Sequence, residues 1–445
     1  MTDPTPQRVP SGPPWYSRFR APEWGLIVAI GAALGLIYVI QDEHTFFGAF
    51  NLKHLFNKTA LFGVLSIGAA VVIISGGIDL SIGSVVALSA VVAAKLMTEW
   101  LPGLPEAGEQ ASRTLAGAAA ALCLVAGLKV AGWRGLAFGA LPAVLVVGLA
   151  AFAPALKISQ GTASCASLVV AGVALAVHVG ECLGLWRLKW LLGVVVASVV
   201  TWGLASAASE GPKSAADPSL GLVVAGITLS LLLGLAIGVM HAAMINRFQL
   251  PPFIATLATM AGLRSLAIIL SGNRTINVNA DRFRCLGNDN RYTIPIFATI
   301  AVVMSVVLGA TVLGRHLYAL GGNENAARLS GLSIRRLKTA AYAISGMLAA
   351  LGGILFAGSN GLAESRMGIA YELYAITAAV VGGCSLAGGV GSIRGTVLGL
   401  ILIQIVINGT GLLVQDVDPS QIEGLVLGTV VVLAVAFNQG FRKRI

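Results

Sequence analysis

The sequence predicts an all-α polytopic membrane protein of about 14 transmembrane helices, about ten forming a core and about four an inserted block. Three observations predict it. The chain is 56% hydrophobic and only 11% charged, far from the surface chemistry of a soluble domain. Apolar stretches long enough to cross roughly 30 Å of hydrocarbon as helix recur from Gly25 almost to the last residue. These stretches are continuously apolar rather than alternating, which excludes the closed β-barrel, the other architecture that satisfies its backbone in lipid.

Taken in order, residues 1–23 form a tail rich in Pro and Arg, and the apolar segment after it lacks a small-residue cleavage site, so the first helix is expected to stay as an anchor. Residues 24–104 are the first part of the core, with spans at 25–40, 60–75 and 82–97. Residues 105–217 differ in composition, dominated by Ala, Val, Leu and Trp, and read as an inserted segment with spans at 114–130, 136–156, 163–185 and 191–208. That block reads as lipid-facing padding in preference to a partner surface. Its His178 and Glu181 lie one helical turn apart near Arg187, an arrangement that favours snorkelling or local pairing over a proton relay. Residues 218–440 hold the second part of the core, with spans at 220–244, 253–270, 294–313, 340–357, 374–386, 395–414 and 422–437, and residues 441–445 are a basic tail.

Positive loops stay in the cytoplasm, so Arg8, Arg18 and Arg20 place the N-terminus inside. Arg315, Arg328, Arg335, Arg336 and Lys338 do the same for residues 315–338, and Arg442, Lys443 and Arg444 for the C-terminus. Even numbers of spans before and after the 315–338 loop agree with this orientation. The net charge of +10 therefore marks topology, and its short runs between apolar blocks do not form a nucleic-acid face. Cys123, Cys165, Cys182, Cys285 and Cys384 contain no CxxC pair, and four of them lie in apolar segments, so they read as buried thiols without a metal or disulfide role.

Three segments carry the chemistry. GGIDLSIGS at 76–84 joins two spans through Gly76 and Gly77, and its Asp79 and Ser81 are expected to cap the next helix rather than touch substrate. GGCSLAGGVGS at 382–392 contains Gly382, Gly383, Gly388, Gly389 and Gly391, which suit close helix packing at a moving interface. No Gly-x-x-x-x-Gly-Lys-[Ser/Thr] occurs, so this chain is not expected to bind ATP as a P-loop protein does. In GNENAARLSG at 322–331, Asn323 can cap a short helix over Glu324, Asn325, Ala326, Ala327 and Arg328, and Gly331 can end it. A short capped helix lying across the membrane face suits docking of a soluble partner better than topology marking alone.

Together with LPPFIATLATM at 250–260, these segments resemble, in family order, the permease subunits of ribose- and xylose-type ABC sugar importers, within a wider family that includes branched-chain amino acid permeases. The resemblance covers roughly residues 20–100 and 218–440. It implies a permease, not an enzyme, with no catalytic residue, metal or cofactor of its own, and with ATP and Mg used by a separate ATPase subunit. The implied partners are that ATPase, a periplasmic sugar-binding protein, a second permease copy and membrane lipid. The implied location is the inner membrane with both termini cytoplasmic. The 315–338 loop would be the coupling helix. Family members often show Glu-Ala-Ala-x-x-x-Gly there, whereas this chain has Asn325 at the acidic position and Glu324 one place early. Relatives also carry Asp where this chain has Tyr374. Candidate groups along the path are Asp79, Ser81, Thr256, Thr259, Asn273, Asn360 and Glu372, each with an alternative role as cap or helix contact. Branched-chain amino acids or nucleosides remain the alternative cargo, and an ATP-independent secondary transporter the alternative class.

Overall fold

The computed structural model describes residues 21–41, 45–100, 220–278, 280–413, 423–430 and 432. The four spans expected between 114 and 208, with His178 and Glu181, lie outside the described residues. The helices in chain order are α1 (Ala21–Ile40), α2 (Ala49–Ile74), α3 (Ile82–Lys95), α4 (Leu220–Phe248), α5 (Pro252–Ser271), α6 (Asp281–Asn288) and α7 (Asn290–Ala310). They continue as α8 (Val312–Gly322), α9 (Glu324–Leu329), α10 (Ile334–Asn360), α11 (Tyr371–Val381) and α12 (Ile393–Leu413). Residues 423–430 are also helical. A two-residue antiparallel pair, β1 (Ile276–Asn277) with β2 (Leu362–Ala363), joins Ile276 to Ala363 and Asn277 to Leu362.

Among the described residues eight helices are long and apolar enough to cross a membrane: α1, α2, α3 with its π-helical extension to Trp100, α4, α5, α7, α10 and α12. The span expected at 374–386 is corrected. There α11 has eleven residues, about 16 Å at 1.5 Å per residue, and the glycines from Gly382 onward end it. It is half a crossing, met end to end by an irregular stretch.

Burial divides the bundle into centre and rim. The apolar windows of α2 and α10 are 94% and 83% buried, against 11% for α1 and 17% for both α5 and α7. A helix apolar on every side belongs in a core, and α2 is buried without interruption from Thr59 to Ile74. In lipid the hydrophobic effect does not hold helices together, so close approach must. Gly234 and Gly238, four apart on α4, meet Gly346 on α10. A Cβ on Gly238 would strike the Tyr342 carbonyl, and one on Gly346 would lie 2.9 Å from the Gly238 nitrogen. Backbone therefore touches backbone where α4 crosses α10.

Candidate functional site

Two broken helices meet beside α10. The chain leaves α2 at Ser75, turns at Gly76 (φ 83°), and runs without helix until α3 begins at Ile82. It leaves α10 at Gly361 (φ 69°), forms β2, and resumes helix at Tyr371 after Ala370, a non-glycine residue at φ 66°. A Cβ on Gly83 would overlap the Gly368 carbonyl and the Glu372 carboxylate, and one on Gly368 would overlap the Gly83 carbonyl. The starts of α3 and α11 thus share a position that admits only glycine.

Asp79 lies in the first break, 3% exposed. Its Oδ1 accepts from the Ser81 backbone N–H at 3.0 Å and the Ser81 hydroxyl at 2.6 Å, and its Oδ2 accepts from the Ser345 hydroxyl on α10 at 2.8 Å. The expectation that Asp79 and Ser81 cap α3 is therefore corrected. Ser81 stands at the N-cap in an αR conformation, not the extended one from which a side chain folds back over the first turn, and it makes no side-chain cap. Its hydroxyl turns to Asp79 instead. Three donors on one buried carboxylate offset the cost of removing it from water, a cost that an unpaired buried polar group would bear in full.

The neighbouring carbonyl extends the network. Ile78 O accepts from Tyr342 Oη on α10 at 3.3 Å and from Thr256 Oγ1 on α5 at 3.4 Å. One turn on, Thr259 Oγ1 lies 2.7 Å from Nε2 of His241, a fully buried residue of α4 whose Nδ1 has no partner among the described residues. Of the expected path residues, Asp79, Ser81, Thr256 and Thr259 come together here, and Glu372 lies against Gly83 two residues beyond Ser81. Asn273 and Asn360 do not join them. Both are exposed at the end of the bundle that carries β1 and β2, where Asn273 (φ 54°) closes α5 and Asn360 ends α10.

Sequence reasoning passed over His241, Tyr342, Ser345 and Arg264. A signal existed for two of them: His241 and Arg264 are the polar or charged exceptions within apolar spans, a pattern that marks function in membrane helices. Tyr342 and Ser345, three apart, share one helix face, but nothing local shows that this face meets Asp79.

At the end carrying residues 315–338, the glycines form a joint. A Cβ on Gly388 would lie 2.8 Å from Gly76 Cα and 3.0 Å from Gly321 Cα, and one on Gly389 would lie 2.6 Å from Gly322 Cα. The Gly389 N–H donates to the Ile74 carbonyl at 2.9 Å, and Tyr318 Oη donates to the Gly391 carbonyl at 2.9 Å. Gly77 approaches Val72 and the Tyr342 hydroxyl, and Gly382 approaches the backbone of Gly395. Gly383 turns the chain at φ 88°. These contacts bind the last turns of α2 and α8 to the loop before α12.

The next helix has the expected caps. Asn323 Oδ1 accepts from the Ala326 N–H at 3.0 Å, and Gly331 (φ 81°) closes the far end, its N–H bonded to the Arg328 carbonyl and that of Leu332 to the Ala327 carbonyl. This pair of bonds is the Schellman closure, which satisfies carbonyls the helix leaves open. Ala327 is buried, while Asn325, Ala326, Arg328 and Leu329 face outward, Leu329 at 89% exposure. Glu324, one place before the position usual for acid, holds Arg328 at 3.2 Å and Lys338 at 2.9 Å. Burial pushes its carboxyl upward, but Lys338 and Arg328 outweigh that and hold it below the usual carboxylate range. Tyr374 is buried and stacked on Phe62 with ring centroids 4.6 Å apart.

Comparison with known proteins agrees with this architecture. A model of the family described as branched-chain amino acid transport system / permease component matches residues 191–435. The ribose import permease of Haemophilus influenzae is 37% identical over 195 residues, 42% of this chain and 60% of that protein. The L-arabinose transport system permease of Escherichia coli K12 is 34% identical, covering 49% and 69%. The galactose/methyl galactoside import permease of Haemophilus influenzae is 36% identical, covering 46% and 64%. The chain thus spans less than two thirds of the length of some of these relatives, and no solved structure matches it. With more than half of its length matched by the family model, the chain belongs to the permease-component family of branched-chain amino acid transport systems.

Proposed function

We propose that the chain is the membrane-spanning permease subunit of an ABC importer that carries a monosaccharide of the ribose or xylose kind across the inner membrane. The observation that carries this reading is the coupling of an exposed, doubly capped helix, α9, through the Gly321–Gly76–Gly388 joint to the segment that holds Asp79. A soluble ATPase seated on Asn325, Ala326, Arg328 and Leu329 would pull on α8, and α8 touches the break between α2 and α3. ATP and Mg bind to that ATPase and drive the bundle between outward- and inward-facing states. A periplasmic binding protein delivers the sugar, and two permease copies enclose the path. Both termini and residues 315–338 face the cytoplasm.

Three relatives named for ribose, arabinose and galactose support a monosaccharide as cargo. The family description supports a second reading, with a branched-chain amino acid as cargo. Reconstitution with the ATPase and the binding protein separates them. D-ribose or D-xylose is expected to stimulate ATP hydrolysis; stimulation by leucine alone would transfer the chain to the second reading. Proton-coupled uptake by the permease without an ATPase would overturn both.

A further inference from the structure

We propose that Arg264 and Glu372 form a charged sugar-binding step of the translocation path, an inference that rests on the importer reading above. Arg264 is the sole charged residue of α5 and Glu372 the sole charged residue of α11. A charge within a membrane-embedded helix is costly to expose to lipid, so such groups turn toward protein or water. Both are half-buried rather than sealed in the core, unlike Asp79 and His241.

Arg264 is held in place from one side. Its Nη1 donates to the carbonyls of Ser365, at 2.7 Å, and Met367, in the irregular stretch that leads into α11. Its Nε and Nη2 have no partner among the described residues, leaving N–H donors of a planar fork available. Of its neighbours on the same side of α5, Ala261 and Ile268 are exposed and Ala267 is buried. Glu372 is fixed by different means, its carboxylate lying over Gly83 in the first turn of α3, while Ile369 and Leu373 beside it are 62% and 48% exposed. The two charges act on each other electrostatically.

An acceptor and a donor fork, each half-open and each fixed on a broken-helix start, suit a cargo carrying several vicinal hydroxyls. Such a cargo can donate to the carboxylate and accept from the guanidinium at once. Charge-assisted hydrogen bonds of this kind are about twice as strong as neutral ones, and with only two of them cargo is recognised without being trapped. The α-ammonium and α-carboxylate of an amino acid would also match this pair, so the choice of a sugar rests on the importer reading and the aliphatic side chain alone adds no contact.

The test uses the complete importer in proteoliposomes with radiolabelled D-ribose, L-arabinose and D-galactose as probes. E372Q and R264Q are each expected to lower uptake of the transported sugar at least tenfold while the complex still assembles with its ATPase. R264Q also loosens the Ser365 and Met367 carbonyls, so E372Q, which leaves those bonds intact, decides if R264Q fails to assemble. In parallel, L373C is expected to react with a charged, membrane-impermeant maleimide above the background of the parent protein, and more slowly when the transported sugar is supplied. Uptake by E372Q within twofold of the parent, or an unreactive L373C, overturns the proposal. Absence of uptake of every sugar by the parent importer overturns the importer reading instead.

Discussion

Asp79 and Glu324 are both carboxylates that gather several donors, yet they work in opposite surroundings. Asp79 is sealed among α10 and the broken start of α3, and its partners are two hydroxyls and one backbone N–H. Glu324 lies on the face of a short surface helix, and its partners are two cationic side chains, Arg328 and Lys338. Hydrogen bonds in a low-dielectric interior are strong and costly to lose, while an exposed ion pair is worth a few tenths of a kcal/mol to about one. The buried carboxylate is a structural tie. The other braces a short surface helix.

The largest expected effect that sharpens this contrast is D79A. It leaves the Ser81 N–H and two hydroxyls without partners, at about 1–3 kcal/mol each before relaxation, and should lower the thermal midpoint in detergent severely. D79N retains an acceptor for Ser81 and should recover most of the loss; equal damage by Asn and Ala would assign the effect to charge rather than hydrogen bonding. Smaller in effect is G321A at the joint between the two regions, where a Cβ would lie 2.5 Å from the Gly389 nitrogen. Overpacking of this kind costs about 1–3 kcal/mol, and the expected result is a lower midpoint together with weaker coupling of ATP hydrolysis to uptake. Normal coupling in a stable G321A would show that the two regions act independently.

The smallest effect belongs to Glu324. Its folded-state pKa lies below the unfolded value of about 4.3, so its contribution is complete above that value and is lost as pH falls through the folded pKa. The protection factors of amides 324–329, with the intrinsic pH dependence of exchange divided out, should therefore be unchanged from pH 8 to 5 and fall only once the pH drops below the ordinary carboxylate range, whereas E324Q should show no such acid transition. A loss of protection centred near neutrality would mean that another group governs the helix.

These regions also differ in how legible they are. The α9 helix could be read residue by residue because Asn323, Ala326 and Gly331 interact within a few positions, and cap chemistry depends on sequence neighbours. Asp79 reads locally as a cap because its decisive partner, Ser345, is 266 residues away. A local reading finds Ser81 and stops there. The short α11 illustrates the same limit: the run from 374 to 386 is apolar enough to suggest a crossing, but Gly382 and Gly383 serve a turn packed against α12 rather than the middle of a helix.

By itself the sequence determined the all-α membrane architecture, the positions of most described spans and the capped helix at 324–329. Each of those follows from composition, apolar length or local backbone geometry, which are properties of adjacent residues. Tertiary structure alone decided that α3 and α11 begin against each other at Gly83 and Gly368, that Asp79 ties to α10, and that Arg264 reaches the carbonyls before α11. In a bundle held together by close contact, which glycine faces which backbone depends on how helices cross, and crossing is a property of the whole chain.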